Sequence, residues 1–183
     1  MPEAANQAES ADDFRFVGDD KLAPFNPTDI SAQKLAFEAL KLSPSDVLYD
    51  LGCGDGRFLI HASSNLSSSS PSSPSSLRCI GVEYDKVYAD RAALATENNE
   101  SITILHANVL DVEMDDATAV FVYLVPDGLK MCKDKLFDVL RRGGRVASYM
   151  FSIPELNPVE TFSSKGGCKV RLYDSSCVAS GVG

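Results

Sequence analysis

The chain has 183 residues, of which 44% are hydrophobic and 23% charged, so length and composition predict one globular domain. Its net charge of −9 disfavours a nucleic-acid-binding protein, because such proteins normally present a basic face. The five cysteines form no C-x-x-C pair and have no histidine cluster near them, which predicts reduced thiols rather than a disulfide framework or a metal site.

The N-terminal residues 1–13 are polar and acidic, and this composition predicts a disordered segment before a domain at 14–174. The segment has neither the apolar core of a signal peptide nor the arginines of a transit peptide. No apolar run in the chain is long enough for a membrane helix. We therefore expect no membrane anchor and a location in the cytoplasm, with the nucleus and mitochondria left open.

Residues 23–29, A-P-F-N-P-T-D, contain two prolines, which exclude regular structure. Thr28 is a good N-cap and predicts a helix at about residues 29–41 with one apolar face. Two interpretations of Phe25 and Thr28 stay open. They either pack and cap, or they form a lid that contributes to binding a cofactor.

Residues 47–57, V-L-Y-D-L-G-C-G-D-G-R, predict a buried strand, a glycine turn and the start of a helix at 57–66. Gly52, Gly54 and Gly56 allow backbone dihedrals closed to other residues and let a ligand approach the main chain, with Cys53 as a small residue in the turn. The spacing differs from the G-x-G-x-x-G of dinucleotide sites, and Asp50 would repel a pyrophosphate. An acid at this position suits the ammonium group of S-adenosylmethionine. The alternative is a strand–helix turn that binds no ligand.

A serine-rich tract at 63–76 follows, and its composition predicts a flexible surface insertion. The next buried strand, at 77–82, ends at Glu83, where nucleotide sites place a carboxylate that accepts from both ribose hydroxyls. Glu83 lies 33 residues after Asp50 rather than about 20, and the insertion accounts for the difference. The alternative role of Glu83 is to begin the next helix.

The rest of the chain alternates further helices and strands. Helices are predicted at 87–98 and 128–142, strands at 101–105, 118–125 and 145–151, a hairpin at 159–162 and 168–173, and a tail at 175–183. This order predicts an α/β fold with a doubly wound, mostly parallel seven-strand sheet and a terminal antiparallel hairpin. A dehydrogenase Rossmann domain more often continues with βα units.

Over about residues 24–173 the chain resembles class I (seven-strand, Rossmann-like) S-adenosylmethionine-dependent methyltransferases, whose first motif is acid-x-G-x-G-x-G. It is most similar to a small group of protein-lysine N-methyltransferases, through P-F-N-P-T, L-Y-D-L-G-C-G-D-G-R, V-Y-L-V-P and G-G-R-V-A-S. The resemblance implies S-adenosylmethionine as cofactor and a lysine of a protein substrate as acceptor. It also places Asn108 where the family usually has an acid that accepts from the adenine amino group, and an amide oxygen accepts the same bond.

Tyr123 and the backbone near Pro126 are expected to line the acceptor site, because the fourth strand of such a sheet ends beside the glycine turn. Tyr123 shares a strand face with Phe121, which leaves a core role open. Three functions stay open: a methyltransferase of protein lysine, a methyltransferase of a small molecule or RNA, and a catalytically silent module that binds S-adenosylmethionine. The sequence has no N-P-P-Y motif, which weakens glutamine and DNA bases as acceptors.

Overall fold

The computed structural model describes residues 26–67 and 77–179. The expectations for residues 1–25, including Phe25, and for 68–76 and 180–183 lie outside the described residues. Within them, helices and strands follow in the order α1 (Ile30–Leu40), β1 (Val47–Leu51), α2 (Arg57–Ser67), β2 (Arg78–Glu83), α3 (Lys86–Thr96), β3 (Ile102–His106), β4 (Ala119–Val122), α4 (Pro126–Arg141), β5 (Arg145–Tyr149), β6 (Glu160–Ser163), β7 (Lys169–Tyr173) and α5 (Ser176–Ala179). A 3₁₀ turn, Val109–Asp111, lies between β3 and β4. In this part of the chain, no helix has the length and apolar character needed to cross a bilayer.

The seven strands form one sheet in the order β3-β2-β1-β4-β5-β7-β6. Strands β1 to β5 are parallel, whereas β7 runs antiparallel to both β5 and β6. The predicted α/β fold with a terminal antiparallel hairpin is confirmed. The strand order reverses between β1 and β4, and in such sheets ligands bind at the carboxyl ends of the strands beside that point.

Helices cover both faces of the sheet, and each face has its own apolar core. On one face α1 packs over β5 and β7, while α2 and α3 pack over β2 and β3. The rings of Phe58 and Phe121 lie 4.2 Å apart between their centroids in the core of this face. On the other face α4 and α5 pack with the 3₁₀ turn. Gly81 in β2 has no room for a side chain, since a Cβ there would lie 2.7 Å from the Cys53 sulfur and 2.8 Å from Leu59. This glycine lets α2 pack directly against the sheet.

The first helix begins one residue later than predicted, because Asp29 caps it instead of Thr28. The Asp29 carboxylate accepts hydrogen bonds from the backbone N–H groups of Ser31 (2.7 Å) and Ala32 (3.1 Å). Thr28 is buried, and its carbonyl oxygen accepts a 2.8 Å bond from the Gln33 side chain. Both residues are good caps by type, so sequence alone did not distinguish them.

The serine-rich insertion begins later than predicted, because α2 continues to Ser67. Ser63 is buried, and its hydroxyl hydrogen-bonds the Ser101 hydroxyl and the Asn99 amide, each at 3.0 Å. These contacts to the loop before β3 keep residues 63–67 helical despite their composition. The predicted tail also differs, since residues 176–179 form α5 and pack on the core beneath α4.

The fourth strand is shorter than predicted and ends at Val122, so Tyr123 lies just past its carboxyl end. Pro126 is the first residue of α4, where its missing N–H costs nothing and its fixed φ suits the helix. The Val125 carbonyl accepts from Leu129 N at 2.9 Å and so belongs to the first turn of α4.

Candidate functional site

The glycine turn after β1 takes a shape that other residues rarely adopt. Gly52, Gly54 and Gly56 have φ of +79°, +57° and +78°. The N–H groups of Gly52 and Cys53 both donate to the carbonyl of Val82 in β2, at 2.8 and 3.0 Å. The turn is therefore fixed to the neighbouring strand, and α2 begins directly after it.

Glu83 joins this turn to the end of β2. One of its carboxylate oxygens accepts from Gly54 N at 2.8 Å, and the other accepts from Asp85 N at 2.8 Å. Each oxygen has a second lone pair, so the carboxylate can still accept from a ligand. The two residues predicted from separate motifs are thus in direct contact.

Asp50 is 3% exposed and lies on β1 immediately before the turn. Burial, followed by the nearby charges of Glu83 and Asp55, raises the pKa of Asp50 well above its ordinary value. Asp55 differs, because it is paired with the Arg57 guanidinium (Nε at 2.8 Å). A buried carboxylate whose pKa is raised by burial and by neighbouring acids favours a cationic group bound beside it.

Cys53 is buried in the turn, and burial, with the charges of Asp50 and Glu83, raises the pKa of its thiol far above the ordinary value. A thiol in this environment stays protonated and is a poor nucleophile. The role of Cys53 as a small residue that fits the turn stays a prediction.

Asn108 lies at the carboxyl end of β3 and caps the 3₁₀ turn. Its side-chain oxygen accepts from Leu110 N at 2.9 Å, and one lone pair of that oxygen remains. The neighbouring N–H of Ala107 donates to the Glu83 carbonyl at 3.0 Å. Asn108 is therefore adjacent to Glu83 along the same edge of the sheet.

A second group of polar and aromatic side chains lies at the same edge, beyond β4 and β5. The Tyr123 hydroxyl accepts from the Asn26 amide at 2.9 Å and donates to the Met150 sulfur at 3.1 Å. The ring of Tyr123 packs on that of Tyr149, with centroids 4.5 Å apart. The Tyr149 hydroxyl in turn donates to Asp29 at 3.1 Å. We call these residues the aromatic–acid cluster: Asn26, Asp29, Tyr123, Tyr149 and Met150.

Of this cluster, the sequence predicted only Tyr123. Asp29 and Tyr149 are 120 positions apart, and their contact depends on how α1 packs against β5. The sequence features that could have indicated them were a strong capping residue beside P-F-N-P-T and a tyrosine at the carboxyl end of the fifth strand.

Two other residues were predicted for the site. Pro126 is exposed, and Thr28 is buried next to Asp29.

Methyltransferases match this chain both in sequence and in structure. The family model of the ANTKMT methyltransferase domain matches residues 50–160. A protein-lysine N-methyltransferase of Saccharolobus islandicus (strain REY15A) is 32% identical over 148 residues, which cover 79% of this chain and 86% of that protein. An RNA methyltransferase from Salinibacter ruber, crystallised with S-adenosyl-L-homocysteine, has a TM-score of 0.71 at 25% identity and covers 81% of this chain and 92% of its own. An O-methyltransferase from Thermotoga maritima has a TM-score of 0.64 at 16% identity, over 81% of this chain and 66% of its own.

Proposed function

Since the chain belongs to the ANTKMT methyltransferase family, we propose that it transfers a methyl group from S-adenosylmethionine to the side-chain amine of a protein lysine. The observation that carries the lysine acceptor is the similarity to the Saccharolobus protein-lysine N-methyltransferase, which extends over most of both chains. The structure supports a cationic acceptor, because a carboxylate and two tyrosine rings lie together near the glycine turn.

The residues at the ends of β1, β2 and β3 fit the cofactor that the family uses. We assign Asp50 and the glycine turn to the methionine end, since the buried carboxylate matches an ammonium group. Glu83 has lone pairs left for the ribose hydroxyls, and Asn108 has one for the adenine amino group. When bound, S-adenosylmethionine supplies an activated methyl: the acceptor nitrogen forms the N–C bond while the C–S bond breaks and its electron pair stays on sulfur.

The protein's own contribution is to position the acceptor and exclude water. Correct placement alone gives effective molarities of up to ~10⁵–10⁸ M in well-oriented reactions. A lysine ammonium must first release a proton to solvent, and burial of the amine favours that release. Tyr123, at the end of β4, and the backbone near Pro126 are the elements we assign to lining this acceptor site.

RNA is the second candidate acceptor, because the Salinibacter RNA methyltransferase shares the fold at 25% identity. Two observations weigh against it. The net charge is −9, and Asp29 places a carboxylate in the aromatic–acid cluster, which repels phosphate. A small-molecule acceptor and a silent binding module are the remaining alternatives.

The experiment is incubation of the protein with radiolabelled S-adenosylmethionine and cell extract that has been depleted of small molecules. Labelled material that protease removes and nuclease leaves, with methyl-lysine identified by mass spectrometry, supports the proposal. Label that is removed by nuclease alone identifies RNA instead, and label that returns only when the small-molecule fraction is restored identifies a metabolite. A Gly54→Arg variant serves as the control without cofactor binding, because the side chain fills the turn. The absence of label from every fraction would contradict the proposal and favour a catalytically silent binding module.

All five cysteines are free, which suits a reducing compartment. We propose the cytoplasm as the site of the reaction. Fractionation of cells that express the tagged protein tests this, and recovery of the protein with mitochondria or nuclei would contradict it.

A further inference from the structure

Asp29 uses its two carboxylate oxygens for different tasks. Oδ1 accepts from the N–H groups of Ser31 and Ala32 and so caps α1. Oδ2 accepts from the hydroxyl of Tyr149 and from the thiol of Cys168, both at 3.1 Å. Asp29 as a residue is exposed to solvent. One oxygen holds the residue in place while the other faces the aromatic–acid cluster.

Strand register places this cluster close to the glycine turn. Asp50 is opposite Phe121 in β4, and Phe121 is opposite Ala147 in β5. Tyr123 and Tyr149 each follow two residues later, on the face and edge where Asp50 lies. Neighbouring strands are about 4.8 Å apart, so the backbones at Tyr123 and Tyr149 lie about one and two strand spacings from the turn. A Cβ on Gly52 would lie 3.3 Å from the side chain of Leu124, which shows how closely the turn approaches the residue after Tyr123.

Met150, the remaining member of the aromatic–acid cluster, has an unusual backbone conformation. Met150 has φ +62°, and the N–H of Phe151 donates to the Tyr149 carbonyl at 2.8 Å across it. The Met150 carbonyl accepts from the Arg171 guanidinium, and its sulfur accepts from the Tyr123 hydroxyl. A methionine rarely adopts this conformation, and such strained conformations concentrate at functional sites. Met150 remains 44% exposed beside the two rings.

We propose that Asp29 is the anionic anchor that receives the amine of the acceptor, with Tyr149 and Tyr123 contacting the cation and Met150 contacting its alkyl chain. This inference rests on the proposed function, since a lysine side chain is the acceptor that has this combination of alkyl chain and cation. Tyrosine rings attract an ammonium within about 6 Å of their centroids. The hydroxyl of Tyr149 donates to the Asp29 carboxylate and so helps to hold it in place.

Asp29 is assigned to binding and not to proton abstraction. Burial alone would raise the pKa of Asp29, but hydrogen bonds from Cys168, from the N–H groups of Ala32 and Ser31 and from Tyr149 lower it below the ordinary value. Burial, together with the hydrogen bonds to Cys168 and Asp29, raises the pKa of Tyr149. Neither group therefore removes the proton at neutral pH, and the proton of the ammonium leaves to water.

The variant Asp29→Asn separates charge from capping, because asparagine caps helices as well as aspartate does. Asp174→Asn is the matched control: Asp174 caps α5 through Ser176 N at 2.9 Å and lies past β7, at the opposite edge of the sheet. Both variants lose one negative charge and keep a capping side chain. Tyr149→Phe, which keeps the ring and removes the hydroxyl, provides a second variant should Asp29→Asn fold poorly.

The binding test uses the full chain and pentylammonium chloride, a lysine side-chain mimic, with 1-pentanol as the neutral probe. The amide NMR signals of Ser31 and Ala32 report on Asp29, because both N–H groups donate to it. We expect saturable shifts with pentylammonium in the wild type and in Asp174→Asn, binding at least about tenfold weaker in Asp29→Asn and in Tyr149→Phe, and no saturable shift with 1-pentanol. Equal binding of pentylammonium by wild type and Asp29→Asn would overturn the inference.

Kinetics with the labelled acceptor provide the second readout. Asp29→Asn should raise KM for the acceptor by about tenfold or more, while the Kd of S-adenosylhomocysteine stays at the wild-type value. Lysine methylation with unchanged KM and amine binding in Asp29→Asn would contradict the inference and leave the proposed function standing. A different outcome is that amine binding depends on Asp29 but no protein is labelled. That result would contradict the proposed function and support Asp29 as the anionic anchor.

Discussion

The Glu83 carboxylate accepts a 2.8 Å hydrogen bond from the backbone N–H of Gly54, 29 positions earlier in the chain. The acid at the end of β2 therefore closes the glycine turn that follows β1. A ribose bound to Glu83 and a methionine group bound at the turn would share this one support. Substitution of Glu83 should then weaken binding of the methionine group as well as binding of the ribose.

The first prediction concerns Glu83→Gln. An amide has one acceptor oxygen, so it cannot accept from both Gly54 and Asp85, and it places an NH₂ group against one of their N–H groups. Hydrogen bonds to charged groups contribute about 1.5–3 kcal/mol, so S-adenosylhomocysteine should bind about 10- to 100-fold more weakly. Isothermal titration calorimetry measures this, with the exposed Glu100→Gln as control. An unchanged Kd in Glu83→Gln would remove Glu83 from the cofactor site.

The second prediction is that Asp50→Asn stabilises the ligand-free protein and weakens cofactor binding. Burial, Glu83 and Asp55 raise the folded-state pKa of Asp50 above its unfolded value near 3.9. An acid with a raised folded pKa destabilises the fold once the pH exceeds the unfolded pKa, and this penalty disappears as the pH falls back through the folded pKa toward 4. At pH 7 the variant should therefore gain on the order of 1 kcal/mol in free energy of unfolding.

Urea denaturation at pH 7 and at pH 4.5 checks this result, because the advantage of Asp50→Asn over the wild type should shrink at the lower pH. Calorimetry on the same samples should show lower affinity for S-adenosylmethionine. A variant that is less stable at pH 7 would mean that Asp50 is a structural acid with a partner in the fold.

The third prediction concerns Asp46, a buried acid just before β1, at the edge of the sheet opposite the glycine turn. It accepts from the Thr118 hydroxyl (2.6 Å), from Ser43 N (2.7 Å) and from the Arg145 guanidinium (2.9 Å). Burial alone would raise its pKa, but the bonds from Thr118 and Ser43 and the charge of Arg145 lower it. Its stabilising contribution is therefore fully present above about pH 4 and is lost as the pH falls through the lowered folded pKa.

Asp46→Asn should lower the free energy of unfolding by about 2–4 kcal/mol at pH 7, because it leaves Arg145 without its buried partner. The difference from the wild type should narrow as the pH falls below 4. Affinity for S-adenosylhomocysteine should not change, since Asp46 lies far from the glycine turn along the strands. Asp138→Asn removes an exposed pair with Arg141 on α4 and should change stability by at most about 1 kcal/mol. Equal losses in the two variants would contradict this assignment.

The sequence predicted the sheet well because its signals are local. Each buried parallel strand is a short apolar run, and the turn after β1 needs three glycines with positive φ. The positions of Asp50 and Glu83 follow from strand ends, which the same runs define. Element ends were less accurate where two residues compete for one role, as Thr28 and Asp29 do at the start of α1.

The aromatic–acid cluster was not predictable in the same way. Asn26, Asp29, Tyr123 and Tyr149 come from three separate parts of the chain and meet only when α1 and the end of β5 are in place. The serine composition of residues 63–67 was likewise outweighed by tertiary contacts of Ser63. Composition and periodicity describe each segment by itself, whereas these features depend on partners distant in sequence.

The fourth prediction is that Tyr123→Phe lowers turnover while leaving stability and cofactor affinity close to wild type. Among residues 26–67 and 77–179, the Tyr123 hydroxyl bonds only to exposed partners, Asn26 and the Met150 sulfur, so its removal should cost the fold little. Tyr173 is the matched control, because its hydroxyl is in the core and accepts from Ile153 N at 3.1 Å. Tyr173→Phe should lose about 1–2 kcal/mol of stability by leaving that N–H unpaired, with the acceptor KM unchanged.

Tyr123→Ala extends the test, because it removes the ring that packs on Tyr149 as well as the hydroxyl. If Tyr123 holds the acceptor, turnover should fall by about tenfold or more in Tyr123→Ala, and the Kd of S-adenosylhomocysteine should change far less. A core role, as for Phe121 on the same strand face, predicts instead that the melting temperature and cofactor affinity fall together. Thermal melts, calorimetry and methyl transfer to the identified acceptor, measured on the same preparations, distinguish the two. A folded Tyr123→Ala variant with wild-type turnover would remove Tyr123 from the acceptor site.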